Sequence, residues 1–297
     1  RRHTRYPLVT GVQTCALPIC RLGERRVGHA GTLDPDATGV MLIGVGSATR
    51  LMRFMDLVNR DGRMVTEKSY TGEVVLGSET TSLDASGDVT ATHDMNVVIE
   101  RINKDDGMTH VQDVIDANLV GDIMQVPPMV SAIRVDGRRL HELAREGIEV
   151  EREARPVNVS RFAVTGIHRN VVSIDVTCSS GTFIRTLAAD LGRLLGGGAH
   201  LRNLRRTAVG AFSIDEARPI DEAPLLPVAV AVRGLSTLEV SGDDETSMRQ
   251  LAAVGKVLPV DRFSDTGPEP WAVIAGDDVD RKSTRLNSSH EWISRMP

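Results

Sequence analysis

Three positions far apart in the chain could share one piece of chemistry. Asp34 stands in a turn-rich loop, residues 28–39 (GHAGTLDPDATG), with Asp36 on the other side of Pro35. Tyr70, one of two tyrosines in the chain, precedes an expected strand over 71–77. Arg185 stands at the start of an expected helix over 182–195, among Phe183, Ile184 and Leu187. A guanidinium set beside a carboxylate favours the ionised acid, which can then serve as nucleophile or base at neutral pH. An arginine in so apolar a neighbourhood needs a partner if it is buried. Each position also has a plainer reading. Asp34 and Asp36 can cap backbone amides in a turn, Tyr70 can simply pack, and Arg185 can face solvent. By spacing alone, the plain turn is the simpler reading of the loop.

The elements that must position these residues can be read from periodicity. Residues 40–45 (VMLIGV) follow the loop as a buried strand or helix, and a rigid loop planted on a buried element is where reactive side chains tend to be held. Leu51, Phe54, Met55 and Val58 predict a helix over 49–58, followed by a polar loop over 59–67. Residues 82–89 turn around Ser86-Gly87. Short helices are expected over 95–102 and 111–119, with Thr109 able to cap the second. Pro127-Pro128 force an extended path over 125–133. Arg134, Arg138 and Arg139 surround an Asp-Gly turn in RVDGRR, a hairpin signal. A helix is expected over 140–147, stopped by Gly147. Residues 171–178 alternate as a strand, ending in Cys178, which reads as a buried thiol. The helix over 182–195 presents Phe183, Leu187, Leu191 and Leu194 as its apolar stripe. Arg202, Arg205 and Arg206 lie in a basic run, HLRNLRR. Residues 221–234 read as a linker, and 235–280 as a small β-rich module with strands near 238–240, 257–260 and 272–275.

The 297 residues suit one large domain plus a small one. No apolar run approaches the ~20 residues of a membrane-spanning helix. The net charge of −5 is concentrated in residues 213–280, where fourteen acidic residues face five basic ones. An acidic total therefore leaves room for a basic surface elsewhere, which is what nucleic-acid binding requires. Three cysteines without a C-x-x-C pair argue against a zinc cluster and suit a reducing cytoplasm. His29 and His141 lack companions at metal-ligand spacing. Phosphate-cradling, zinc-protease and serine-hydrolase motifs are missing from the sequence.

Several stretches, in order, resemble the bacterial tRNA pseudouridine-55 synthases of the TruB type. They are GHAGTLDPDATG at 28–39, KSYTGEVVLG at 68–77, TTSLDASGDV at 80–89, QVPPMVSAIRVDGRRLHELAREGIEVEREARPV at 125–157, CSSGTFIRTLAADLG at 178–192 and AHLRNLRRTAVGAFSIDEA at 199–217. The resemblance spans residues 21–220 and rests on long, specific strings. It implies an α+β pseudouridine synthase fold: a mixed, largely antiparallel sheet with flanking helices and a small C-terminal β-rich module. It implies an isomerase that turns uridine into pseudouridine in the T-loop of tRNA, without cofactor or metal. Asp34 would be the catalytic aspartate, Tyr70 the ring that stacks on the target base, and Arg185 the partner of the aspartate. His29 would lie against the flipped nucleotides and Asp84 near the pocket. Residues 125–152 would form a thumb that grips the T-arm. Arg134, Arg138, Arg139, Arg202, Arg205 and Arg206 are the phosphate-contact candidates, and 235–280 would be an RNA-binding module. The expected molecule is a cytoplasmic monomer.

Two departures from the family pattern stand out. A lysine motif expected ahead of the loop is not supplied by residues 1–20, and 59–67 runs long. Residues 1–20 and 281–297 read as foreign, adaptor-derived tails. Finding either in place in the uninterrupted source gene would refute that. Two rival activities remain at this point: a pseudouridine synthase for another RNA, and a tRNA-binding or tRNA-folding protein without chemistry.

Overall fold

Val172, Ile174, Val176 and Cys178 all turn inward and are at most 1% exposed, as their alternation predicts. Their strand is the middle of the main sheet. The computed structural model describes residues 23–52 and 67–220 without a break. It also describes 58–60, 63–65, 222–227, 230–231, 233, 236–239, 271–275 and 278–279. The backbone gathers into two compact units.

The described residues of the first unit are Leu33–Val40 and Glu67–Glu216. Its sheet has seven strands: β1 (Thr38–Gly39), β2 (Glu67–Leu76), β3 (Gly121–Gln125), β4 (Arg155–His168), β5 (Val171–Ser179), β6 (Ala199–Val209) and β7 (Phe212–Ser213). The order is β7-β6-β2-β5-β4-β3, with every neighbouring pair antiparallel. The exception to that direction is β1, which runs parallel along β6. Among the described residues, four helices belong to this unit: α1 (Asn96–Ile102), α2 (Gly107–Asn118), α3 (Leu140–Arg145) and α4 (Ile184–Leu194). Ile102 of α1, Val111 and Ile115 of α2, and Leu187 and Leu191 of α4 share one core with Val74, Leu76, Val172, Ile174 and Leu201 of the sheet. Burying such side chains against a sheet face gives each about 1.5–3 kcal/mol. That burial, more than the propensity of three short helices, fixes the layer.

The second unit takes the described residues among 14–32, 41–66 and 217–297. Val27–Ala30 pairs with Leu42–Val45 in antiparallel register, His29 opposite Ile43. A 3₁₀ turn follows over Gly46–Arg50. Ser236–Glu239, Trp271–Ala275 and Asp278–Val279 form a three-stranded sheet, two of its strands near expected positions. The expected strand at 257–260 and both terminal tails lie outside the described residues.

Several local expectations are corrected. The strand expected over 71–77 starts at Glu67, so Tyr70 lies inside it. The loop expected over 59–67 contains a hairpin, Val58–Arg60 against Arg63–Val65. Of the helix expected over 49–58, Met52 is helical, 53–57 lie outside the described residues, and Val58 already begins a strand. Helix α2 begins at Gly107 with Asp106 as its cap residue, so Thr109 is interior and not the cap. Leu194 is exposed, and Leu195 takes its place inside. Two long strands, β4 and β6, were not anticipated as strands.

Candidate active site

The loop expected to carry chemistry closes on itself before it reaches the sheet. The amide of Ala37 donates to the carbonyl of Asp34 at 3.0 Å, so residues 34–37 form a β-turn with Pro35 at its second position. Proline presets the φ that this position needs, which makes the turn stiff. Thr38 and Gly39 then add to the outer edge of β6, opposite Arg205 and Arg206. The Val40 amide donates to the Arg206 carbonyl at 2.9 Å. Gly39 has φ of +109°, and a β-carbon there would collide with the Arg206 backbone. Glycine is required at this one point by both conformation and space. Asp36 is exposed at the turn, a loop-shaping position.

The second component hangs on the same edge. Leu83, at φ +61°, lets the chain bend so that its carbonyl accepts from the Leu201 amide at 3.0 Å, while the Ala85 amide donates to the Leu201 carbonyl at 2.9 Å. Asp84 is thereby fixed beside β6. Its Oδ1 accepts from the Ser82 hydroxyl at 2.7 Å, the Ser86 amide at 3.0 Å and the Ser86 hydroxyl at 2.5 Å.

Arg185 stands on the first turn of α4. The helix start is clamped by Gln125, the last residue of β3. Its Oε1 accepts from the Phe183 amide at 2.8 Å and its Nε2 donates to the Phe183 carbonyl at 3.1 Å. The Arg185 side chain is only 4% exposed, and its fork is heavily engaged. Nε donates to Asp34 Oδ2 at 2.8 Å and one terminal nitrogen donates to Asp34 Oδ1 at 2.9 Å, a bidentate pair. That same nitrogen reaches the Val130 carbonyl at 2.9 Å, and the other reaches the Ser82 carbonyl at 2.7 Å. Asp84 Oδ2 lies 3.5 Å from Nε, so two carboxylates share one guanidinium. The Asp34 side chain keeps 35% of its surface open. The result is a carboxylate held from behind by its pair and still open on another side.

Tyr70 is buried on the inward face of β2, where the charge of Asp34 reaches it. Burial pushes its hydroxyl up to about 12. The charge of Cys178 adds to that rise, while the charge and side-chain hydrogen bond of Arg206 pull the other way. Arg206 is 1% exposed, the largest fully buried side chain among the described residues. Its Nε donates to the Val40 carbonyl at 2.7 Å. The expectation of a phosphate contact at Arg206 is therefore corrected: it is an interior residue. The reason is a bulge in β6 between Arg202 and Arg205, with Asn203 at φ +53°, which flips the parity of the strand.

The remaining expected residues of the first unit make their contacts elsewhere. Arg134 pairs with Arg139, and Val135 with Arg138, in a hairpin turned by Asp136 and Gly137, both at positive φ. All three arginines are exposed, and Arg138 is bonded to Glu146 at 2.5 Å. Arg205 is exposed, and Arg202 is bonded to Glu73 at 2.6 Å. His29 is exposed on a strand of the second unit. Sequence reasoning did not anticipate the carbonyls of Ser82 and Val130, since any residue type can offer a carbonyl. Among the described residues, no group of three or more His, Cys, Asp or Glu could hold a metal ion, and no helix is long and apolar enough to cross a membrane.

The mixed sheet with its flanking helices is the pseudouridine synthase fold. Solved structures share it. An H/ACA ribonucleoprotein bound to a substrate RNA containing 2′-deoxyuridine aligns over 89% of this chain and 70% of its own, with TM-score 0.57 and 20% identity. A Cbf5-Nop10-Gar1 complex aligns over 89% and 71%, with TM-score 0.53 and 22% identity. The description "TruB family pseudouridylate synthase (N terminal domain)" fits residues 20–184, and "tRNA pseudouridylate synthase B C-terminal domain" fits 185–228. Proteins called tRNA pseudouridine synthase B are similar in sequence. That of Arthrobacter sp. (strain FB24) is 41% identical, covering 86% of this chain and 82% of its own. That of Streptomyces coelicolor is 47% identical, covering 70% and 67%. The chain belongs to the TruB family of pseudouridylate synthases.

Proposed function

We propose that this chain isomerises the T-loop uridine of tRNA, position 55, to pseudouridine. The observation that carries the reading is the bidentate Arg185–Asp34 pair, with the carboxylate partly open and the ring of Tyr70 close by. The N1–C1′ glycosidic bond breaks, the uracil turns, C5 bonds to C1′, and the proton of C5 leaves as N1 regains one. Atoms and electrons balance within the substrate, so the reaction calls for neither redox partner nor cofactor. Asp34 acts as nucleophile on the sugar or base, or as base toward a sugar proton, and the carboxylate suits each role. Arg185 holds it in one orientation. Asp84, within reach of the same guanidinium, stands behind the pair.

A T-loop uridine is unreachable while stacked, so it must be flipped out at a cost of a few kcal/mol. Stacking on Tyr70 offsets part of that cost. In this reading residues 125–152, with exposed Arg134, Arg138 and Arg139, grip the T-arm. Arg202 and Arg205 meet phosphates, His29 faces the flipped nucleotides, and 235–280 is a small RNA-binding module after a linker. The protein works as a cytoplasmic monomer, which light scattering would check.

Incubating the chain with a full tRNA transcript and mapping pseudouridine tests the reading. Product at the T-loop uridine supports it. Product at another site would favour a different RNA specificity, and tight binding without product would leave only an RNA-binding role.

A further inference from the structure

Arg206 is an unusual side chain for the middle of a sheet. A buried guanidinium is costly unless its donors are satisfied, and an apolar side chain of similar volume would fill the space more cheaply. What distinguishes Arg206 is where its bonds go. On one side its backbone pairs with Gly39 and accepts from the Val40 amide, and its Nε donates to the Val40 carbonyl at 2.7 Å. On the other side its register partner is Tyr70, whose hydroxyl feels the Arg206 charge. Irregularities in β6 fall on both sides of it, between Arg202 and Arg205 and between Arg206 and Ala208. The strand is thus bent around this one residue.

We infer that Arg206 is a positioning residue that holds the outgoing end of the Asp34 loop and the Tyr70 hydroxyl in one setting, so that carboxylate and ring are presented together. This rests on the activity proposed above for its catalytic consequence, though not for the anchoring itself. Arg206 touches no reacting atom and works through Val40 and Tyr70. The fork geometry matters: a lysine brings the charge with a single nitrogen and cannot serve both partners in the same way.

The test pairs two variants, Arg206→Met and Arg206→Lys, with two readouts. The first is amide hydrogen exchange over residues 37–41, with β5 as the internal reference. The second is the single-turnover rate at saturating T-arm RNA, with Kd measured separately. Arg206→Met is expected to speed exchange of the loop amides roughly tenfold while β5 is unmoved. It should lower the rate roughly tenfold to a hundredfold, the scale of an ångström-level misplacement. Kd should stay as in the wild type, and Arg206→Lys should recover part of the rate. In a Tyr70→Phe background the same substitution should cost less, because one of the groups it positions is already gone. Loop exchange equal to wild type in both variants would overturn the inference. So would a rate loss that tracks the unfolded fraction, or failure of both variants to fold, since either points to a purely structural arginine. If wild type makes no pseudouridine but the loop exchange rises as stated, the activity reading fails and the anchoring role stands.

Discussion

Replacing Arg185 by lysine keeps a positive charge in the site and removes the planar fork. Arg185 makes four hydrogen bonds, two to Asp34 and one each to the carbonyls of Ser82 and Val130. A single ammonium nitrogen cannot span acceptors placed around a guanidinium, so at least two are lost. At about 1.5–3 kcal/mol for each bond to a charged group, two losses come to about 3 kcal/mol or more. Asp34 is 35% exposed, so its share is partly screened, and about 2–3 kcal/mol is the expected drop in stability. Freed from its bidentate hold, the Asp34 carboxylate should also sample several orientations, lowering the rate about a hundredfold. Urea unfolding followed by circular dichroism reads the first effect. Single-turnover pseudouridine formation at a urea-free pH of 7.5 reads the second. A variant with the wild-type urea midpoint and wild-type rate would refute the argument from fork geometry. A lower midpoint with an intact rate would reduce Arg185 to a structural residue.

Other expected outcomes follow from single features of the fold. Gly39→Ala puts a β-carbon against the Arg206 backbone at φ +109°, so it should lower stability by at least about 1–3 kcal/mol and detach the loop, read as a drop in urea midpoint. Burial holds the Tyr70 hydroxyl and the Cys178 thiol at about 12 each, above ordinary values of 10.0 and 9.0. Both are neutral when protonated, so the folded state gains from them below pH 9 and loses that gain as pH climbs toward 12. The urea midpoint should therefore fall steeply between pH 9 and 12, and Tyr70→Phe should fall less steeply; equal slopes would contradict the assignment. Arg205→Ala, at an exposed position, should reduce the salt dependence of T-arm binding by roughly one unit of slope, and an unchanged slope removes Arg205 from the interface.

The sequence carried the site further than the fold. Asp34, Tyr70 and Arg185 lie in strings long enough to stand out; the structure joins Arg185 to Asp34 directly and sets Tyr70 where the charge of Asp34 reaches it. The alternation of 171–178 and the Asp-Gly hairpin at 136–137 were equally legible, because each depends on local chemistry alone. The two long strands β4 and β6 were obscured by their bulges, which break the period of two just where it would have been counted. The same effect hid Arg206: without knowing that Asn203 inserts a positive φ, parity places its neighbours wrongly and leaves it looking like one more surface charge. Backbone carbonyls that hold Arg185 leave no mark in residue type. The start of strand β2 was missed because Glu67-Lys68-Ser69 look polar, yet Lys68 is buried on the same face as Tyr70 and bonds Ser180 at 3.1 Å.

Asp34→Asn tests the central claim most directly. The substitution keeps size and shape and leaves Arg185 an oxygen to bond, while removing the charge that every proposed role requires. T-arm RNA should bind the folded variant with wild-type Kd, stability should fall by about 1.5–3 kcal/mol for the lost charged bond to buried Arg185, and no pseudouridine should form at the T-loop uridine. Pseudouridine appearing there at the wild-type rate would contradict the account.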